Sequence, residues 1–252
     1  MNIYSHLEEK KDKRKNRFRG GVGRLAGLLL VLLLLGTAVL PAGRSEAAET
    51  EIDAAKAKSI SRLSFPIRDD KKHLYRIYIF ASDEKKSVTT QDDAWAGASP
   101  GDVIYSGSYR AALVKNGRKT GVVQKVNLNL RTINTTRNES FRLQGDGKSR
   151  PDLLFLSQAA ASNVNEIYGF VITGGTLHSL DFASETGVSR GRDGYAAPKE
   201  AMRGLSGNRI QTRFYNNATW NYSFDTYKLD IKSLQLRHVG SVSRPDYEWP
   251  NV

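Results

Sequence analysis

The apolar residues of this 252-residue chain fall into three regimes. Leu25 to Leu40 form one uncharged run. Ala48 to Arg62 are polar and rich in Ala and Lys, with Ile52, Ala55, Ile60 and Leu63 loosely at helical spacing. Residues 48–72 therefore read as a linker or a short helix. From His73 the period shortens. Leu74-Tyr75-Arg76-Ile77-Tyr78-Ile79-Phe80 is dense in aromatic and β-branched side chains, which suit a pleated, half-buried surface and lose rotamer freedom in a helix, so it predicts a strand.

The same pattern recurs to the end of the chain. Val103-Ile104-Tyr105 predicts a short strand, and Tyr109 to Val126 a hairpin turning at Asn116-Gly117, a pair that supplies positive φ. Asp152 to Leu156 is a short apolar run. Glu166 to Ile172 and Thr176 to Leu180 flank Gly174-Gly175 as a second hairpin. Arg209 to Tyr215, Tyr222 to Leu229 and Leu234 to Val239 predict three further strands, the first two joined by a turn near Asn216-Asn217. Ser184 to Tyr195, rich in Gly, Ser and charge, predicts a long loop, and Pro198 to Arg203 a single helical turn ending at Gly204. Gly117 and Gly175 lie 58 residues apart, and the Asp152 and Arg209 runs 57 apart, which suggests a β-meander repeated at that interval. Residues 73–252 are thus expected to be an all-β domain, an antiparallel β-meander with hairpins like propeller blades; a β-sandwich is the alternative architecture.

The uncharged run acquires meaning from its flanks. Eight Lys and Arg between Lys10 and Arg24 precede it, and Pro41 and the small-residue stretch Ser45-Glu46-Ala47-Ala48 follow it. The run is about 16 residues, short of the roughly 20 a spanning helix prefers. Residues 1–47 therefore read as an N-terminal hydrophobic signal helix, either a signal peptide cleaved near Ala47 or Ala48, or an uncleaved signal anchor held in the membrane by residues 25–40. Both readings place the rest of the chain outside the cytoplasm, secreted or at the cell surface. Cysteine is absent, which excludes disulfides, thiolate metal sites, a Cys nucleophile and a lipid-anchored lipoprotein. Export without cysteine suits a bacterial extracellular protein.

Export also changes the charge. Of 38 Lys and Arg and 26 Asp and Glu, residues 1–47 hold nine and four, leaving 29 against 22, so a net +12 becomes about +7. With 39% hydrophobic and 25% charged residues the chain is neither polytopic in a membrane nor wholly disordered.

Phe141 to Leu156, with Gly145-Asp146-Gly147-Lys148 shortly before Pro151-Asp152-Leu153-Leu154, resembles the FG-GAP/VCBS repeat of β-propeller proteins. In that family an Asp/Asn-rich loop precedes a strand, and intact loops hold calcium. The resemblance implies Asp146 and Asp152 as candidate metal ligands. The family's first two ligand positions fall here on Arg142 and Gln144, and Ser149-Arg150 are two extra residues. A hard cation wants six to eight oxygens, so a degenerate, metal-free turn is expected.

Gly97-Ala98-Ser99-Pro100-Gly101 matches a nucleophile elbow as a string, but Pro100 has no N–H for an oxyanion hole and the following residues are strand-like. Gly147-Lys148-Ser149 lacks the preceding glycine of a P-loop. His73, His178 and His238 match no metal spacing, and the pairs Asp69-Asp70 and Asp92-Asp93 are expected to be solvated. No catalytic residue and no cofactor is assigned. Four acceptor sequons begin at Asn134, Asn138, Asn217 and Asn221; they matter only in a eukaryote.

Arg76, Arg110, Arg118, Arg131, Arg137, Arg142, Arg209 and Arg213 stand among aromatics such as Tyr75, Tyr109 and Phe214. Such a basic face suits an anionic cell-wall polymer or membrane surface, and export argues against nucleic acid. Arg110, Arg142, Arg209 and Arg213 are the candidate binding residues. The expected function is that of a non-enzymatic cell-envelope or extracellular binding protein. The alternatives are an envelope hydrolase built on a carboxylate pair and a propeller fragment serving contacts with an unidentified protein.

Overall fold

The computed structural model describes residues 50–95, 97–161, 163–197 and 202–251, which belong to one compact unit. The expected signal segment, residues 1–47, and residues 198–201 of the expected helical turn lie outside the described residues. In chain order the elements are β1 (Glu51–Asp53), helix α1 (Ala54–Ile60), β2 (Leu63–Arg68), β3 (Leu74–Phe80), β4 (Lys85–Val88), β5 (Val103–Ser106), β6 (Arg110–Lys115), β7 (Thr120–Val123), β8 (Thr132–Asn134) and β9 (Phe141–Leu143). There follow β10 (Leu153–Ala161), β11 (Val164–Thr173), β12 (Thr176–Ala183), β13 (Ser189–Gly191), β14 (Asp193–Ala196), β15 (Met202–Gly204), β16 (Arg209–Asn216), β17 (Asn221–Asp230) and β18 (Gln235–Arg244). The fold is all-β with antiparallel sheets, as the alternation of side chains predicts.

The strands form a five-stranded sheet in the order β1-β7-β6-β3-β2, a three-stranded sheet β4-β5-β8, and a ten-stranded sheet. The largest sheet consists of two four-strand meanders, β9 to β12 and β15 to β18, joined by the parallel pairing of β12 with β18; β13 and β14 pair with β12 and β11. Its outer strands β9 and β15 approach each other, so the sheet curls into a nearly closed barrel. The predicted interval from Asp152 to Arg209 links β10 to β16, which occupy equivalent places in the two meanders. The interval from Gly117 to Gly175 links hairpins of different sheets.

β10 explains the layering. Leu154 and Leu156 face a core shared with Ile77, Ile79 and Leu113 of the five-stranded sheet, and Leu153 and Phe155 face the barrel interior with Ile210, Leu229 and Leu236. All four β10 side chains are fully buried, which is why their sequence runs apolar without alternating. The far side of the five-stranded sheet packs Tyr78, Phe80 and Ala112 under Ala57 of α1. That helix starts at Asp53, whose carboxylate caps it by accepting the Lys56 N–H at 2.8 Å.

Four expectations are corrected. Residues 48–72 are not a linker: the short helix expected as the alternative is present as α1, packed on the five-stranded sheet to which β1 and β2 belong. Pro66 sits inside β2, which is an edge strand, the one place where a missing N–H leaves no ladder bond unmade. Ser184 to Tyr195 is not an unstructured loop, since β13 and the start of β14 lie within it. Gly194 allows this, because a Cβ there would collide with the Phe182 ring. Asp69 is not solvated: it is buried, and its carboxylate accepts the N–H groups of Lys71 and His73 and contacts the His73 ring at 3.0 Å. Over the described part of the expected helical turn, Met202–Gly204 is strand β15.

Candidate functional site

A solvent-facing cleft forms where the three-stranded sheet meets the outer ends of β10 and β11. Its near wall begins at Trp95 and Ala98, which exchange two backbone bonds of 2.9 Å. Ser99 lies in the turn that leads into strand β5, and its N–H is directed to Asp102. This is a turn, not an elbow opening a helix.

Asp102, 3% exposed, is the hub of the wall. Its Oδ2 accepts the Ser99 N–H at 2.9 Å, the Asn134 side-chain amide at 2.9 Å and the Arg137 Nε–H at 2.8 Å. The Asn134 amide, the Ser99 N–H and Arg137 together hold its carboxyl below the usual carboxylate value. Asn134 also donates to the Gly97 carbonyl at 3.2 Å and accepts the N–H groups of Thr136 and Arg137. One buried carboxylate therefore fixes the Trp95–Gly101 loop, the end of β8 and one edge of the Arg137 guanidinium.

The cavity so enclosed is about 360 Å3 and is lined by Trp95, Asn134, Arg137, Glu139, Gln158 and Asn165, among others. Gln158 is spent on main chain: its carbonyl oxygen accepts the N–H groups of Arg131 and Thr132, and its amide donates to Asn129. Asn165 donates to one oxygen of Glu139. Glu139, the half-exposed Arg137 and Trp95, 54% exposed, complete the polar and aromatic lining. An indole beside planar polar groups offers an apolar face for the C–H side of a sugar ring and hydrogen bonds for its hydroxyls. The unpaired edge of a guanidinium takes a carboxylate or phosphate.

The four candidate arginines do not share a surface. Arg213 is 1% exposed; it donates to the Tyr247 carbonyl at 2.7 Å and lies 3.3 Å over the Tyr247 ring. Arg142 donates to the Pro66 carbonyl and stands 3.6 Å from Asp152. Arg209 donates to Ser206. Arg110 alone of the four is exposed, 5.5 Å above the Phe80 ring. Arg137, from the wider set of eight, lies in the cleft, whereas Trp95, Glu139 and Asn165 had no signal in the sequence: an isolated Trp and scattered polar residues carry no period or motif.

Asp146 is occupied by its own loop, and Asp152 by that loop and by strand β2. Asp146 accepts the N–H groups of Lys148, Ser149 and Arg150, and these bonds push its carboxyl well down. Asp152 accepts those of Arg68 and Gly145. Among the described residues no group of three or more His, Asp or Glu is placed to hold a metal ion. No family model matches the chain, and neither does any curated protein or solved structure. The cleft is therefore read from its own geometry.

Proposed function

We propose that this chain is an exported, non-enzymatic binding protein of the cell envelope, which holds a hydroxyl-rich, anionic wall polymer in the Trp95–Arg137 cleft. The observation that carries the reading is the pairing of a half-exposed indole with a guanidinium oriented by a buried carboxylate. A guanidinium anchored at Nε keeps its other donors in a fixed direction, so little rotamer entropy is lost on binding. Calcium has no part in this reading, in which the Gly145-Asp146-Gly147 loop is a metal-free form of the FG-GAP/VCBS turn.

The test is co-sedimentation of the purified protein with isolated envelopes at about 50 and about 300 mM salt, a range over which screening shortens sharply. Binding is expected at the lower strength and its loss at the higher. Trp95→Ala, a change at an exposed side chain, should weaken binding at least about tenfold with its melting temperature unchanged. Equal sedimentation of Trp95→Ala and the parent protein would sink the reading.

One observation favours a second reading, that of an envelope hydrolase. Glu166 accepts the Tyr168 hydroxyl at 2.8 Å, Asp193 faces Tyr168 across the β11–β14 register, and burial with these two carboxylates pushes that phenol up to about 12. Release of soluble sugar from envelopes, abolished in Glu166→Gln, would favour it over binding alone.

A further inference from the structure

The cleft has a neighbour beyond Gln158. Leu130 and Gln158 line it and also line an open groove of about 1510 Å3, so the two adjoin along these residues. The groove carries Lys85, Arg110, Lys125 and Arg131, all exposed. None of the four is in an ion pair among the described residues. Two of the three carboxylates along the same groove are already engaged. Asp83 accepts the Ser108 N–H at 2.8 Å and its hydroxyl at 2.7 Å, which lowers its carboxyl below the usual value, and Glu166 holds the Tyr168 hydroxyl. The groove thus sets four cations against three carboxylates, with Arg110 near enough to Asp83 to contribute to that lowering.

The junction is rigid. The Arg131 N–H is tied to the Gln158 side chain at 2.9 Å and its carbonyl accepts the Gly107 N–H at 3.0 Å, so the backbone is fixed while the side chain stays exposed. Arg110 and Arg131 of the groove and Arg137 of the adjoining cleft, scattered over 28 residues of sequence, line neighbouring surfaces. A groove with more cations than carboxylates beside a cleft that holds an indole and the Asp102-anchored Arg137 fits a chain with repeated negative charge better than it fits a single sugar.

We propose that groove and cleft form one track for an extended anionic polysaccharide, bound along its length, with cationic contacts in the groove and ring stacking at Trp95. This rests on the cleft reading above and adds chain length and repeated charge to it. Each further sugar that reaches the groove then adds contacts without a new association cost, so affinity rises with length.

The probes are oligogalacturonates, a trimer and a dodecamer, with a neutral malto-oligosaccharide of matching length and anionic lipid vesicles as controls, titrated calorimetrically against the purified protein. The dodecamer is expected to bind at least about tenfold more tightly than the trimer and with a steeper salt dependence. The double variant Lys125→Gln, Arg131→Gln should bring the dodecamer to the trimer's affinity at an unchanged melting temperature. Equal affinities for trimer and dodecamer would overturn the track while leaving the cleft reading intact. So would a dodecamer insensitive to the double variant, a malto-oligosaccharide bound as tightly, or a preference for vesicles. Absence of binding to either oligogalacturonate would overturn both.

Discussion

Asp102 shows how one side chain organises a site. Its carboxyl is held below the ordinary value of 3.8 by bonds that exist only in the folded state. Such a group contributes stability in full above the unfolded value, and loses it as pH falls through the lower folded value. Asp83 and Asp230 are depressed in the same direction by bonds from Ser108 and Ser233. The protein is therefore expected to be stable down to about pH 4 and to lose stability below it. Asp102→Asn should lower the melting temperature at neutral pH and flatten the decline in acid, a comparison that thermal melts across pH 2 to 7 make directly. Asp146 gives an opposite kind of prediction: with its oxygens committed to loop N–H groups, neither calcium nor a chelator should shift the melting curve. Arg150 is 7% exposed, two of its guanidinium nitrogens have no hydrogen-bond partner, and desolvation lowers its pKa despite Asp146 and Asp152 nearby. Arg150→Met is expected to raise the midpoint of denaturant unfolding, because it removes two buried donors whose desolvation no hydrogen bond offsets.

Among the elements, the hairpins follow local chemistry closely. The β11–β12 turn has two central residues, Gly174 and Gly175, with φ of 58° and 82°, the arrangement that matches strand twist. Asn116-Gly117 form the centre of a β-turn closed by the Arg118 N–H on the Lys115 carbonyl at 3.0 Å, with Gly117 alone at positive φ, 82°, and two further residues before β7. β14 depends on packing. It lies against the Phe182 ring through the bare Cα of Gly194, so Gly194→Ala forces the ring to move and should cost about 1–3 kcal/mol. A substitution on the exposed face of the same strand, Tyr195→Ser, serves as the control, with a much smaller effect on the melting temperature.

The whole molecule is held by strands that serve two cores at once. β3 places Ile77 and Ile79 in the core facing β10 and Tyr78 and Phe80 in the core under α1. β10 likewise joins the first of these cores to the barrel interior. No core can be lost without exposing a face of a strand that another core needs, so a single cooperative transition is expected. Fluorescence from Trp95, Trp220 and Trp249, which lie in distant parts of the sequence, should superimpose on the far-ultraviolet circular dichroism curve during unfolding. Two resolved transitions would contradict that coupling.

Strand positions at Leu74–Phe80, Val103–Ser106, Arg110–Lys115 and across β10 to β12 were legible in the sequence because β-branching, aromatic density and turn residues act over a few neighbours. The same local physics marks residues 25–40 as apolar behind a basic flank. β2 was not legible, because Pro66 is tolerable only at a sheet edge, and which strand becomes an edge is decided by the rest of the chain. β13 and β14 were hidden for a related reason: their pairing depends on contacts with β11 and β12 and on a glycine that fits one ring. The basic residues of the track could be named as a set, but not sorted. Arg213 and Arg137 look alike in sequence, yet one is sealed beneath Tyr247 and the other stands half-exposed in a cleft. Burial and neighbours at long sequence separation make that difference, and these exist only once the three sheets have packed. Local propensity therefore determined the all-β class and most hairpins, while tertiary packing alone decided which charges meet solvent, which carboxylates are spent on main chain, and where Trp95, Asp102 and Arg137 come together.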